Sequence, residues 1–226
     1  MTVKIALQSV ASMVFGVLFF GLALFLPAWT FDYWQAWVFI AVFIVATIIP
    51  SWYLAVTNPA ALARRLKAGP TAETRPAQRI IISATVVLVI LALVVAALDH
   101  RFGWSSVPML VVVIGDVMVA VGLFLAQLVV VQNAYASASI VVEFEQPLVS
   151  TGLYGVVRHP MYFGALIMMV GMPLALDSYW GVLVVVAAVP VLAARIIDEE
   201  KMLNAELAGY GEYTRTVRYR LVPGLW

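Results

Sequence analysis

Residues 107–131, VPMLVVVIGDVMVAVGLFLAQLVVV, carry a single charged side chain, Asp116, in an otherwise almost uniformly apolar stretch. Crossing the hydrocarbon core of a bilayer takes about 20 mainly apolar residues in a helix, so this stretch predicts a transmembrane helix. Similar stretches occupy residues 5–27, 34–56, 79–98, 161–176 and 180–197. We therefore predict an all-α, polytopic membrane bundle of about six transmembrane helices with a helical C-terminal tail.

The composition supports a membrane protein and excludes several other classes. The chain has 226 residues, of which 64% are hydrophobic and 11% charged, whereas soluble domains have about 25% charged residues. A net charge of +1 argues against nucleic-acid binding, which needs a concentrated basic face. The chain has no cysteine and two histidines, His100 and His159, which we predict on opposite membrane faces. We therefore expect no metal site.

The distribution of positive charge predicts the topology, because lysine and arginine are retained on the cytoplasmic side. With a cytoplasmic N-terminus and six spans, 12 of the 13 basic residues fall inside and Arg101 alone falls outside. The inside residues are Lys4, Arg64, Arg65, Lys67, Arg75, Arg79, Arg158, Arg195, Lys201, Arg215, Arg218 and Arg220. Both termini are therefore predicted to be cytoplasmic in an integral, multi-pass membrane protein.

Three regions follow from this pattern: an N-terminal transmembrane hairpin at 1–56, a basic cytoplasmic loop at 57–78, and a membrane core with its tail at 79–226. The first apolar stretch has no small-x-small cleavage signal, so we interpret it as a retained helix. The basic loop suits a short helix on an anionic membrane surface. Pro173 and Asp177 predict a tight turn that joins the last two spans into a closely packed hairpin.

A polar motif, RHPMYFG at 158–164, stands where the fifth apolar stretch begins. Pro160 suits the first position of a helix, whose free N–H groups beside Arg158 and His159 would attract a carboxylate or phosphate. The predicted hairpin brings this motif close to Glu199 and Glu200. Adjacent helical residues point about 100° apart, so one glutamate would bind a cationic group while the other pairs with a basic side chain.

Each of these residues also has a structural interpretation. An arginine beside a membrane helix commonly anchors it at the interface, and an acidic run after a span commonly forms a solvated helix face. The combination of basic and acidic groups at one hairpin base, with tyrosines nearby, favours a functional site because ionisable groups at membranes tend to be functional.

Three motifs together resemble the isoprenylcysteine carboxyl methyltransferase family of integral membrane methyltransferases, which is related to phospholipid N-methyltransferases. They are G-x-Y-x-x-x-RHP-x-Y-x-G at 152–164, R-x-x-x-EE-x-x-L at 195–203, and GYGEYTRTVRYRLVPGLW at 209–226. The resemblance covers roughly residues 105–226. It implies an S-adenosylmethionine-dependent methyltransferase with a cofactor pocket at the cytoplasmic end of the last helices, acting on a lipophilic or prenylated acceptor among the membrane lipids.

Site residues follow by position within these motifs. The resemblance implies cofactor binding by Arg158, His159, Tyr162, Glu199 and Glu200, with Asn133 and the loop containing Val149, Gly152 and Tyr154 closing over the cofactor. Tyr210 and Tyr213 are spaced to share a helical face and are predicted to pack the tail over the pocket. A carboxylate acceptor would pair with Arg195, Arg218 or Arg220, whereas an amine, phenol or thiol acceptor would need a proton acceptor such as Glu199.

Two other classes stay open at this point. Membrane sterol reductases resemble the C-terminal half and use NADPH, whose 2′-phosphate the tail arginines could hold, although the paired glutamates disfavour it. A non-enzymatic scaffold or transporter is the other alternative. Transporters place polar groups at mid-membrane, where this sequence has only Asp116 and Gln127, and we expect Asp116 to form an interhelical hydrogen bond.

Overall fold

Long apolar helices make up most of the computed structural model, which describes residues 3–66, 69–73, 75–136 and 146–226, with side chains from residue 7 onward. Lys67, counted above as a cytoplasmic charge, lies outside these ranges. The described residues form eight α-helices and no β-strand. The helices are α1 Val3–Ala28, α2 Trp34–Thr57, α3 Pro59–Arg65, α4 Pro76–Phe102, α5 Met109–Gln132, α6 Pro160–Ala175, α7 Tyr179–Glu206 and α8 Tyr210–Thr216.

Five of these helices, α1, α2, α4, α5 and α7, are long and apolar enough to cross a membrane. The predicted fifth span is α6, a shorter apolar helix of 16 residues, or about 24 Å at 1.5 Å per residue. Large apolar side chains such as Phe15, Ile80 and Leu110 are exposed along the helices, as expected of a surface that faces lipid. The predicted all-α polytopic membrane bundle is confirmed.

Glycines set the closest helix packing, between α5 and α6. A Cβ atom added to Gly122 would lie 2.4 Å from the carbonyl oxygen of Gly164, and one added to Gly115 would lie 2.3 Å from the backbone nitrogen of Ala175. Neither distance leaves room for a side chain, so the two backbones meet directly, as small residues permit in membrane bundles. Gly171 of α6 similarly faces α5, with a hypothetical Cβ 2.7 Å from the carbonyl oxygen of Gly115.

This packing corrects one expectation. The tight turn at Pro173–Ser178 is present, with Asp177 in the left-handed region at φ 60° and the N–H of Ser178 bonded to the carbonyl of Pro173 at 2.9 Å. However, α6 and α7 do not form the tightest pair. Instead, α6 packs mainly on α5 and α7 mainly on α4, because the glycines lie on the surfaces where α5 and α6 face each other.

A polar cluster stabilises the end of the bundle at this turn. The buried carboxylate of Asp99 accepts hydrogen bonds from the Oγ atoms of Ser105 and Ser178 at 2.7 and 2.6 Å. Asp177 accepts from the backbone N–H of Val107 at 2.9 Å and from the side-chain amide of Gln35 at 3.1 Å. These bonds tie the ends of α2, α4 and α6 together.

The basic loop also has defined structure. Its first part forms α3, which Asn58 caps by accepting a hydrogen bond from the N–H of Ala61 at 3.1 Å. Further along, Glu73 and Arg75 contact α7: Glu73 pairs with Arg195 at 3.0 Å and Arg75 pairs with Asp198 at 2.9 Å. The loop is thereby attached to the same helix that carries the two predicted site glutamates.

The hydrogen bond expected at Asp116 in α5 is not observed within the part of the chain that the structure describes. Asp116 is buried, and its Oδ1 atom has no hydrogen-bond partner among the described residues. The same holds for the Nε2 atom of Gln127. The close α5–α6 contact forms through glycine backbones, so the interhelical hydrogen bond expected at Asp116 is not what joins these helices.

Candidate active site

Five segments from the second half of the chain converge on one cavity. They are residues 133–136 after α5, residues 146–159, the start of α6, the end of α7, and α8. Pro160 opens α6 at the first helical position, as predicted, so His159 lies just before the helix. Gly209, at φ 80°, adopts the left-handed conformation that lets the chain turn from α7 into α8. The tail is thereby directed back over the cavity.

The tail is paired with the RHP motif by its backbone. The N–H of Arg158 bonds to the carbonyl of Tyr219, and the N–H of His159 to the carbonyl of Arg220, both at 2.9 Å. The guanidinium of Arg220 also stacks 5.3 Å from the ring centre of Trp226. Residues 158–159 therefore owe their position to the tail as well as to α6.

Glu200 joins the same elements through its side chain. Its Oε1 atom lies 2.9 Å from Arg158 Nε and 3.2 Å from His159 Nε2, and its Oε2 atom accepts from Arg220 Nε at 2.9 Å. The side chains of Glu200 and Arg158 are each only 9% exposed, so this is a largely buried ionic cluster. Glu200 thus binds basic groups of the protein itself, and it does not line the cavity.

Glu199 points differently and lines the cavity. Its carboxylate accepts a hydrogen bond from the hydroxyl of Tyr162 at 2.5 Å, and that hydroxyl accepts one from Arg195 Nε at 2.9 Å. Arg195 in turn donates to Gln78 at 2.8 Å and to Glu73 at 3.0 Å. A chain of hydrogen bonds therefore runs from the basic loop to the cavity wall.

Tyrosines supply the aromatic part of the wall. The hydroxyl of Tyr213 donates to the carbonyl of Tyr154 at 2.6 Å, and Asn133 donates to the Tyr154 hydroxyl at 3.2 Å. Burial raises the pKa of Tyr154 to about 12, an effect that the Asn133 hydrogen bond reduces and nearby Glu199 increases. Burial likewise raises the pKa of Tyr210 and Tyr213. All three hydroxyls are therefore protonated at neutral pH, and that of Tyr210 has no partner among the described residues.

The structure brings together most of the predicted site residues. The cavity is lined by Asn133, Val149, Tyr154, Arg158, His159, Tyr162, Glu199, Tyr210 and Tyr213. The predicted residues outside its lining are Gly152, Glu200, Arg195, Arg218 and Arg220. Gly152, at φ 62°, packs against Gln132, whose Oε1 atom would lie 2.7 Å from an added Cβ.

Other lining residues were not predicted. Met202 and Leu203 follow Glu199 by three and four positions, a spacing that places side chains on one helical face, so helical periodicity alone could have identified them. Leu148 and Met161 are apolar neighbours of predicted residues. Glu73 and Gln78, which hold Arg195, had no signal in the sequence.

Comparison with known proteins shows two similarities. The family model described as phospholipid methyltransferase matches residues 110–208, from α5 through α7. Among solved structures, the fold is similar to that of a eukaryotic intramembrane Ras methyltransferase, isoprenylcysteine carboxyl methyltransferase. The TM-score is 0.52 and the identity 14%, over 97% of this chain and 86% of that chain. No curated protein matches the chain by sequence.

These findings support the resemblance described from the sequence. The fold is similar to that of an integral membrane methyltransferase, and the stretch from α5 to α7 matches the phospholipid methyltransferase family model. The match is confined to residues 110–208. The first three long helices, α1, α2 and α4, and the C-terminal tail lie outside it.

Proposed function

We propose that the protein transfers a methyl group from S-adenosylmethionine to a lipophilic acceptor. The observation that carries the proposal is the set of groups that line one cavity: the guanidinium of Arg158, the carboxylate of Glu199, and five buried or half-buried tyrosines. These groups match the charges of S-adenosylmethionine, which has a carboxylate, an ammonium group and a sulfonium. When bound, it supplies an electrophilic methyl group.

Each charged part of the cofactor has a partner in this assignment. Arg158 forms an ion pair with Glu200 through Nε. The remaining N–H donors of its guanidinium bind the cofactor carboxylate in a charge-assisted pair. Glu199 binds the ammonium group, since a carboxylate can accept several hydrogen bonds. The tyrosine faces stabilise the sulfonium by cation–π attraction. The hydroxyl of Tyr210, which has no hydrogen-bond partner within the part of the chain that the structure describes, is available to the polar part of the cofactor.

The protein contributes mainly by positioning. Glu200 holds Arg158 and His159 in place, and Arg195 holds Tyr162 and therefore the carboxylate of Glu199. Correct alignment of the methyl donor and acceptor can contribute about 7–11 kcal/mol to lowering the barrier. No covalent intermediate with a protein residue is required.

The acceptor determines whether a base is needed. A carboxylate acceptor needs none, whereas an amine gives up a proton, and Glu199 is the carboxylate on the cavity wall that could accept it. Arg195 and Arg220 are engaged with other protein groups, so we assign them to positioning. Arg218 is exposed and is the arginine we propose for an incoming carboxylate.

The cellular placement belongs to the same proposal. The basic loop contacts α7 beside the cavity through Glu73 and Arg75, so the loop and the cavity lie at the same end of the bundle. Positive loops are retained in the cytoplasm. The cavity therefore opens to the cytoplasm, where the water-soluble cofactor is supplied, and the acceptor approaches from the membrane.

Calorimetry on the detergent-purified protein tests this function. We expect binding of S-adenosylmethionine and of its demethylated product, and no binding of NADPH, which the reductase alternative requires. Arg158→Ala and Glu199→Ala should each weaken cofactor binding about ten- to a hundred-fold, the cost of a charge-assisted contact. Arg215→Ala, an exposed tail arginine, is the control. Normal affinity in both site variants would refute the assignment.

A further inference from the structure

A second cavity lies in the N-terminal half, outside the residues that match the family model. It is an apolar groove of about 450 Å³ between α1, α2 and α3. Its wall includes Met13 and Gly16 of α1, Ile48 and Trp52 of α2, and Leu62 of α3. Few polar atoms line it, so its surface suits a hydrocarbon chain.

The groove has a closed end and an open end. Phe20 and Phe43 pack edge to face at 4.7 Å between ring centres and close it near the middle of the two helices. From there it runs back along α1 to Ser9, a distance of about 16 Å at 1.5 Å per residue, and ends beside Leu62 and Leu66. This shape fits one extended hydrocarbon chain that enters from the α3 end.

The open end is basic. Arg65 follows Leu62 by three residues, so both side chains lie on one face of α3, and Leu62 lines the groove. Arg65 is partly buried, and burial lowers its pKa. A cation that loses water in this way is stabilised by an anionic partner. Phosphate groups of lipids occupy this level of a membrane.

The groove also lies close to the cofactor cavity. Ala55 and Leu62 line the groove and belong to an apolar cluster with Val130, against which Met161 packs. Met161 lines the cofactor cavity. One layer of apolar side chains therefore separates the two spaces. Beside this layer, the guanidinium of Arg64 lies 4.9 Å from the ring centre of Tyr135, which also lines the cofactor cavity.

We propose that this groove binds one acyl chain of a membrane phospholipid, with the lipid phosphate held at Arg65 on α3. The lipid headgroup then lies at the level of the cofactor cavity, one side-chain layer away. The N-terminal helices, which the family model does not cover, thereby provide a lipid site beside the cofactor cavity.

Photo-labelling of the full chain in phosphatidylcholine vesicles tests the groove. The probe is lysophosphatidic acid with a diazirine in its single acyl chain, and labelled residues are mapped by mass spectrometry. We expect labels concentrated on groove residues such as Met13 and Ile48. Equal labelling of the exposed α5 residues Leu110 and Val117 would overturn the proposal, because it would show a general lipid coat.

Two glycines of α1 give a matched pair of variants. A Cβ atom added at Gly16 or at Gly21 meets no atom within 4 Å, so a leucine is tolerated at either position. Only Gly16 lines the groove. Gly16→Leu should fill it and reduce labelling of Met13 and Ile48 about tenfold, while Gly21→Leu should leave labelling unchanged. Equal effects of the two variants would refute a defined chain site.

The headgroup is tested with a second probe, a monoacylglycerol that has the same diazirine chain and no phosphate. We expect the anionic probe to label about tenfold more strongly, as for one charge-assisted contact, and Arg65→Gln to remove the difference. Equal labelling by both probes would overturn the assignment of the phosphate to Arg65.

Calorimetry separates this inference from the proposed function. Gly16→Leu should bind the demethylated cofactor product with wild-type affinity, because Gly16 is remote from the cofactor cavity. Groove labelling without any cofactor binding would uphold the lipid site and refute the methyltransferase assignment. Cofactor binding with diffuse labelling would refute the lipid site and uphold the methyltransferase assignment.

Discussion

Arg195 Nη2 lies 3.0 Å from Glu73 Oε1, and the two side chains are only 7% and 1% exposed. Arg195 lies within the region that matches the family model, whereas Glu73 lies in the loop before α4, outside it. This buried ion pair therefore connects the loop before α4 to the series of hydrogen bonds that runs from Arg195 to Glu199.

Glu73→Gln should destabilise the protein and weaken cofactor binding. It leaves the buried guanidinium of Arg195 without its carboxylate, and breaking a buried pair typically costs about 3–5 kcal/mol. The comparison is Arg75→Gln, whose pair with Asp198 is more exposed and is worth about 0–1 kcal/mol. Thermal unfolding and calorimetry measure both effects. Equal stability of the two variants would contradict the importance of the buried pair.

Gly122→Ala should destabilise the bundle. Its methyl group would lie 2.4 Å from the carbonyl oxygen of Gly164, and such overpacking typically costs about 1–3 kcal/mol. Gly21→Ala, where the added atom meets nothing within 4 Å, is the control and should not lower the melting temperature. An unchanged melting temperature for Gly122→Ala would show that α5 and α6 are not in direct backbone contact.

Two tyrosine variants differ in whether the removed hydroxyl has a partner. Tyr213→Phe removes the 2.6 Å hydrogen bond to the Tyr154 carbonyl and should lower stability by about 0.5–1.5 kcal/mol. Tyr210→Phe removes a buried hydroxyl without a partner among the described residues and should leave the stability of the free protein unchanged or higher. Its cofactor affinity should nevertheless fall several-fold. Full affinity in Tyr210→Phe would exclude that hydroxyl from binding.

Asp177→Asn should stabilise the protein, by an amount that depends on pH. Burial raises the pKa of Asp177 above its ordinary value of 3.8, with Asp99 adding to the shift and the Val107 N–H and His100 opposing it. Asparagine tolerates the positive φ at this turn. After rotation of the Gln35 amide, the asparagine can donate to Gln35 Oε1 in place of the hydrogen bond that Asp177 Oδ2 accepts from Gln35 Nε2, so the contact between the two side chains is retained.

The sign of the pH effect follows from linkage. The folded protein binds the Asp177 proton more tightly than the unfolded chain does, so wild-type stability falls as the pH rises from 3.8 through the raised pKa. The advantage of Asp177→Asn should therefore be larger at about pH 8 than at about pH 4. Thermal unfolding at both pH values measures it, and a constant difference would rule out the titration of Asp177 as its source.

The orientation in the membrane is testable with reporter fusions. Fusions after residues 4, 70 and 226 should all report a cytoplasmic location, and a fusion after residue 103 should not. Only α4 crosses between residues 70 and 103, so these two positions must report opposite sides. An external location after residue 226 would remove the cofactor cavity from the cytoplasm.

The sequence predicted the helices well because a membrane imposes their length and composition. The predicted spans at 34–56 and 107–131 differ by only one or two residues at their ends from α2, Trp34–Thr57, and α5, Met109–Gln132. The motif also placed Arg158, His159 and Glu199 near one another, and the structure brings them to one cavity. Local patterns determine these features.

The sequence did not predict which side of each helix faces the cavity, or which residues far apart in the sequence are in contact. The sequence indicated that Glu199 and Glu200 differ in role, but only the packing of α7 shows that Glu199 faces the cavity. The glycines at 115 and 122, and at 164 and 171, share a spacing of seven, yet nothing in the sequence indicates that the two sets face each other. Glu73 likewise has no local signal for its contact with Arg195.

The backbone pairing of residues 158–159 with residues 219–220 has a consequence for biosynthesis. A ribosome synthesises residues 219–220 only after every long apolar helix described here, and the growing chain enters the membrane in that order. The cofactor cavity therefore cannot be completed while the nascent chain is still being inserted. Translation products that stop before residue 219 can occupy the membrane as bundles, but they lack the tail segment that fixes Arg158 and His159, so they should be inactive.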